Sequence, residues 1–189
     1  MKVLHITPHL GGGIGKAHEV INRALLKGVV EQTFLLLEKP INCRHADALT
    51  ANGAQVIIAE NLEHVAQLAS KADIVQFEFI NHPRLFECFA RCNFPKMRSV
   101  IWAHISGLFK PIIQPDFIKE ASHFIFTSEA SRAIQVPEGT QNKISVINSG
   151  FGFPSIPNVV KKSKPAIAYL GTVNFVKMHP GFFDAVDAL

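Results

Sequence analysis

Residues 2–25, KVLHITPHLGGGIGKAHEVINRAL, decide the fold. An apolar run from Val3 to Ile6 breaks at Pro8 into a loop that holds Gly11, Gly12, Gly13 and Gly15. A helical pattern follows, with Val20, Ile21, Ala24 and Leu25 on one face. A strand feeding a glycine-rich loop at a helix N-terminus is a ready place for an anion, because the first backbone N–H groups lack partners and the helix dipole favours negative charge. Four glycines in five positions exceed what a plain turn needs, so this loop is expected to contact a phosphate or a sugar, the other reading being a tight strand-to-helix turn without a ligand.

Working outward, short runs rich in Val, Ile and Phe recur at 33–37, 55–59, 74–79, 99–104, 123–127 and 144–147. Several are continuously apolar, as strands buried on both faces of a parallel sheet should be. Helical patterns at 15–27, 44–51, 62–70, 84–92, 115–121 and 129–134 separate them. This alternation predicts an α/β, Rossmann-like, doubly wound and mainly parallel sheet with helices on both faces. Ligands of such a sheet bind outside the carboxyl ends of its strands.

The pattern changes after Ile147. Gly150, Gly152, Pro154 and Pro157 interrupt it, and Lys161, Lys162, Lys164 and Pro165 form a polar stretch. The expected organisation is a first domain over 1–154, a linker over 155–165, and the first strand (166–170), loop and helix of a second domain over 166–189. A lone strand and helix cannot make their own core, so the sequence looks cut short.

Composition narrows the function. Of 189 residues 48% are hydrophobic and 18% charged, which suits a globular core rather than disorder. A net charge of +4 is mild, and no basic run interleaves with aromatics, so nucleic acid is not an expected partner. Nothing resembles a signal peptide, and no apolar stretch approaches the roughly 20 residues that cross a bilayer. A cytoplasmic protein is expected. The cysteines Cys43, Cys88 and Cys92 are too few and too scattered for a disulfide scaffold or a zinc site, so neither metal nor cofactor is expected. Cys88 and Cys92 read as small apolar residues packing on the sheet.

Several residues at predicted strand ends carry candidate chemistry. His104 closes the run SVIWAH, where a side chain points into the ligand crevice or bonds a neighbouring group. His9 lies in the loop after the first strand and carries the same two readings. Ser128 reads as an N-cap. Ser149 and Gly150, in SGFG, follow the run KISVIN; they either touch ligand or form an interdomain bend. Lys177 lies in GTVNFVKMHPGF, six residues after Gly171, where a lysine can pair with a diphosphate. As a P-loop, GGGIGKA lacks both the first glycine, which is Leu10 here, and the hydroxyl that would hold Mg²⁺, which is Ala17. No G-x-S-x-G elbow is present.

Taken in order, KVLHITPHLGGGIGKA, ADIVQFEF, VIWAHISG, FIFTSEASR, ISVINSGFG and AYLGTVNFVKMHPGF resemble the family 4 retaining glycosyltransferases of the GT-B fold. The resemblance covers an N-terminal acceptor-side domain and the opening of a donor-side domain. It implies transfer of a sugar from a nucleotide-diphosphate-sugar donor to a carbohydrate or lipid-linked acceptor, with retention and without metal. It implies donor and phosphate contacts from Gly12, Gly13, Gly15 and Lys177 and a catalytic position for His104; His9, Ser149, Gly150 and Gly171 are expected beside them as substrate contacts. Thr172 stands where the family has an arginine, and the family's paired glutamates would lie beyond Leu189. Residues 1–189 alone are therefore expected to be inactive.

Two other readings stand beside it: a phosphate-cradling NTPase of the KGGVGKT type, and a non-catalytic partner-binding Rossmann module. The segment ISGLFKPIIQPDFIK is unusually apolar for a loop and carries Lys110 and Lys119. It is expected either to meet a lipid-linked acceptor at the inner face of a membrane or to pack Leu108, Phe109, Ile112 and Ile113 between the domains.

Overall fold

The computed structural model describes residues 1–25, 28–148 and 178–188, and among these seven apolar runs of the sequence form parallel strands. They are β1 (Lys2–Thr7), β2 (Glu31–Leu36), β3 (Gln55–Ile58), β4 (Ile74–Phe79), β5 (Ser99–Ala103), β6 (His123–Phe126) and β7 (Ile144–Val146). Between them lie α1 (Gly12–Ala24), α2 (Arg44–Ala51), α3 (Leu62–Ala69), α4 (Pro83–Arg91) and α5 (Pro115–Glu120). The sheet order is β3-β2-β1-β4-β5-β6-β7, and every pairing is parallel. The order reverses between β1 and β4, which puts a crevice outside their carboxyl ends.

The two faces of the sheet differ in chemistry. One face packs Leu4, Ile6, Val75, Phe77, Phe79, Ile101, Phe124 and Phe126 against Val65 of α3, Leu85 and Cys88 of α4 and Ile118 of α5. That layer is apolar throughout and makes the main core. On the other face, α2 covers the β2 side with Ala46 and Leu49 over Phe34 and Leu36. Beneath α1, by contrast, the strands present His5, Gln32 and Glu78, all buried.

Local chemistry explains the element ends. The first helix begins at Gly12 rather than Gly15, because Gly12 takes φ +58° and turns the chain into the helix without a glycine run in between. The glycine loop is accordingly short: Leu10 is fully buried, and the Gly11 N–H donates to His9 Nδ1 at 3.1 Å. Gly12 and Gly13 are exposed first-turn residues of α1. Residues 129–134 form a 3₁₀ turn (Glu129–Ala133) rather than an α-helix, with the Ala130 N–H donating to Ser128 Oγ at 3.3 Å as an N-cap. Cys88 lies in the core, where burial pushes its thiol up to about 12, and Cys92 packs partly buried beside it.

The chain divides into a unit Met1–Gly152 and a unit Phe153–Leu189. In the second, the described residues include a short helix, α6 (Phe182–Asp187), beginning one residue after Gly181. The expected linker (155–165) and strand (166–170) lie outside the described residues, as do Ser149, Gly150, Gly171 and Lys177.

Candidate functional site

Glu78, the penultimate residue of β4, has no solvent exposure at all. A carboxylate in that position costs several kcal/mol unless donors surround it, and here they come from four elements. Gln76, two residues earlier on the same strand, donates from Nε2 to Glu78 Oε1 at 2.7 Å. His5 of β1 approaches the same oxygen with Nδ1 at 3.1 Å. His18 of α1 brings Nε2 to 2.9 Å of it, a close ionic contact without the alignment of a hydrogen bond. The other oxygen, Oε2, is 2.7 Å from Nε2 of His104, which directly follows β5.

A directed chain of hydrogen bonds extends this cluster toward α1. Asn22 Nδ2 donates to Gln32 Oε1 at 2.8 Å, and Gln32 Nε2 lies 3.2 Å from His5 Nε2. With His5 Nε2 accepting from Gln32, its Nδ1 carries the proton that it donates to Glu78. His5 is thus a neutral relay. Its ring stacks on Phe34 at 4.4 Å, and His18 meets both Phe34 and Trp102 edge-on. These aromatic walls exclude water and strengthen every electrostatic term inside.

The charge states follow from this packing. Burial holds His5 below its ordinary 6.5; the hydrogen bond to Glu78 opposes that, and repulsion from His18 adds to it. Burial also pushes Glu78 upward, but attraction to the nearby His18 and the hydrogen bonds of His104 and His5 outweigh it and hold the carboxyl well below 4.5. An ionised Glu78 fixes the His104 tautomer: Nε2–H faces the carboxylate, and Nδ1 has no protein hydrogen-bond partner among the described residues. With a side chain 8% exposed, His104 offers the outside little more than one edge. A histidine held this way can accept a hydroxyl proton or stabilise a developing charge.

The other candidates sit around this centre. Gly12 and Gly13 open α1, which has no side-chain cap and no acidic residue in its first turn, so its N–H groups face outward unneutralised. Gly15 is buried, and its missing side chain is what lets α1 approach: a Cβ there would collide with the Leu10 carbonyl and come within 2.7 Å of the His45 ring. His45 Nδ1 in turn lies 3.0 Å from Glu19, whose carboxyl is held down first by that bond and then by Lys16 and Arg23. His9 lies in the crevice loop, with its Nδ1 taken by Gly11. His5, His18 and Glu78 were not singled out in the sequence, although polar residues at Gln76 and Glu78 of an otherwise apolar strand, and His5 in its neighbour, are the visible sign of a polar face.

The closely placed nitrogens and carboxylate oxygen of His5, His18 and Glu78 are also of a type that ligates metals. The bonds from Gln32 through His5 to Glu78 already use the His5 nitrogen that a metal would need.

No protein-family model matches the chain, nor does any curated protein sequence. Among solved structures it is similar to HepE of Anabaena in complex with UDP and glucose, at 17% identity and TM-score 0.54, over 80% of this chain and 45% of that one. The same protein in complex with UDP-glucose matches at 15% identity and TM-score 0.54, over 80% and 44%. At that identity the likeness establishes the α/β fold, and the chain spans less than half the length of these neighbours.

Both buried groups make stability fall toward acid. Below 6.5 the unfolded chain protonates His5 while the folded chain resists, and below 4.5 the same holds for Glu78. The urea midpoint is therefore expected to fall as pH drops below 6.5 and to fall again below 4.5. Glu78→Gln should remove the second loss and cost about 3 kcal/mol at neutral pH. A midpoint constant from pH 7 to pH 4 contradicts this electrostatic account.

Proposed function

We propose that this chain is the acceptor-side part of a glycosyltransferase that takes its sugar from a nucleotide-diphosphate-sugar. The observation that carries the reading is His104, placed at the carboxyl end of β5 and clamped by a buried, ionised Glu78. It stands in a fold whose solved likeness, HepE, holds UDP-glucose. The uncapped, glycine-built N-terminus of α1 supports the reading, since Gly12 leaves open space in which a phosphate can approach backbone N–H groups.

In this account the bond between the sugar's anomeric carbon and the diphosphate oxygen breaks, and the acceptor oxygen bonds to that carbon on the same face. The acceptor proton passes to the leaving phosphate, so the anomeric configuration is retained. His104 Nδ1 accepts a hydroxyl of the donor sugar and positions it. Backbone N–H groups of α1 and Lys177 stabilise the diphosphate charge without a metal. Ser149, Gly150 and Gly171 are proposed as further donor contacts. Residues 1–189 alone give no turnover.

The intact polypeptide is expected to transfer glucose from UDP-glucose with retention, read from the anomeric coupling in the product's proton NMR spectrum, and without loss of rate in EDTA. His104→Ala should lower kcat about 10²-fold. Inverted product, or a His104→Ala enzyme as fast as wild type, contradicts the mechanism.

The acceptor is proposed to be lipid-linked. Phe109 is 80% and Ile112 55% exposed, beside Lys110, whereas Ile113 of the same loop is buried against Gly107. Two projecting apolar side chains and a lysine suit the surface of an anionic bilayer. Among the described residues no helix is long and apolar enough to cross a membrane, so contact would be peripheral. Flotation with anionic liposomes should fall in the double variant Phe109→Ser, Lys110→Glu; flotation unchanged by it sinks the membrane proposal.

A further inference from the structure

A second polar cluster sits where β1, β2 and β4 end. His9 follows β1, Glu38 follows β2, and His82 follows β4, so the three meet over the point where the strand order reverses. One ring nitrogen or carboxylate oxygen from each lies within 4.8 Å of the others. The rings of His9 and His82 meet edge-on at 5.7 Å. All three side chains are partly exposed, so a solute can reach them.

The backbone fixes which nitrogens face that solute. His9 Nδ1 accepts the Gly11 N–H at 3.1 Å, and His82 Nδ1 accepts the Arg84 N–H at 3.3 Å. A nitrogen that accepts carries no proton, so each ring holds its proton on Nε2. His82 Nε2 is 3.6 Å from Glu38 Oε1, beyond hydrogen-bonding distance. Among the described residues neither Nε2–H nor the Glu38 carboxylate has a hydrogen-bond partner. A metal bound through Nε2 would move each proton to Nδ1, where it would clash with a backbone N–H. The cluster thus offers two N–H donors and one anionic acceptor, the complement of a hydroxyl group, which accepts one proton and donates another.

A further observation favours a sugar as the owner of that hydroxyl. A cleft of about 240 Å³ adjoins His9 and Glu38, and its far wall is Pro40 and the fully exposed Ile41, an apolar platform for the C–H face of a sugar ring. That volume lies below the ~300–1,000 Å³ of drug-sized sites and suits one ring rather than a whole nucleotide-sugar. Asn81, directly before His82, is the one described non-glycine residue at positive φ, at 57°. Asn takes this conformation more readily than other side-chain-bearing residues, and here it turns the chain so that His82 caps α4 and faces His9.

We propose that His9, Glu38 and His82 form a subsite that holds one hydroxyl of the acceptor carbohydrate, with Pro40 and Ile41 under its ring. The proposal rests on the glycosyltransferase reading but is tested apart from it. In the 189-residue chain labelled with ¹⁵N-histidine, both rings should report the Nε2–H tautomer. Methyl glycosides of glucose, galactose, mannose and N-acetylglucosamine are then titrated in, and at least one should move the His9 and His82 ring signals. Glu38→Ala, at a partly exposed loop position, should weaken that binding about tenfold while leaving the amide spectrum of the fold intact.

An Nδ1–H tautomer, tight uptake of Zn²⁺ by these two rings, or ring signals that none of the four glycosides moves overturns the subsite. The transferase reading fails by a different result, namely no sugar transfer from UDP-glucose by the intact wild-type polypeptide. The ring signals decide the subsite whatever that assay gives.

Discussion

Everything in the candidate site depends on one buried negative charge. The Glu78 carboxylate lies inside the sheet; two strands and the end of a third each bring a donor to it, and a helix brings the His18 ring nitrogen into close contact. Removing any one leaves part of a charge unpaired in a medium where that is expensive. The carboxylate therefore does two things at once: it ties α1 to the sheet through His18, and it fixes the orientation of His104.

This arrangement explains why the two faces of the sheet are so unlike. The face toward α3, α4 and α5 is a hydrocarbon layer, and aromatic packing among Phe77, Phe89, Phe117 and Phe124 fills it. It supplies the burial that can offset a polar face on the other side. With that core secure, β1, β4 and β5 can carry His5, Gln76, Glu78 and His104 toward α1. The polar side chains lie near the carboxyl ends of the strands, and the same ends carry His9, Glu38 and His82. Donor-facing and acceptor-facing chemistry would thus share one rim of one sheet.

The fold was legible because parallel strands buried on both faces write themselves as continuous apolar runs, and all seven appear within two residues of where those runs lie. The start of α1 was misplaced because glycines at Gly12 and Gly13 look like loop, whereas Gly12 uses its positive φ to enter the helix at once. Gly15 drew attention as a ligand contact, yet its lack of a side chain is also demanded by the Leu10 carbonyl and the His45 ring. His104 was visible by its place at a strand end. Its partner was not, because Glu78 and His104 are 26 residues apart and meet only once β4 pairs with β5. His5 and His18 were hidden for the same reason, their meaning lying in tertiary contacts.

The central claim is that Glu78 is ionised at the heart of the sheet. Its side-chain carboxyl ¹³C shift, followed against pH in glutamate-labelled protein, tests this most directly. At pH 4.5, where an ordinary glutamate is half protonated, Glu78 should still show the shift of a full carboxylate. A Glu78 signal that titrates at or above 4.5 would mean that burial has won over the histidines, and that His104 faces a neutral acid instead of an anion.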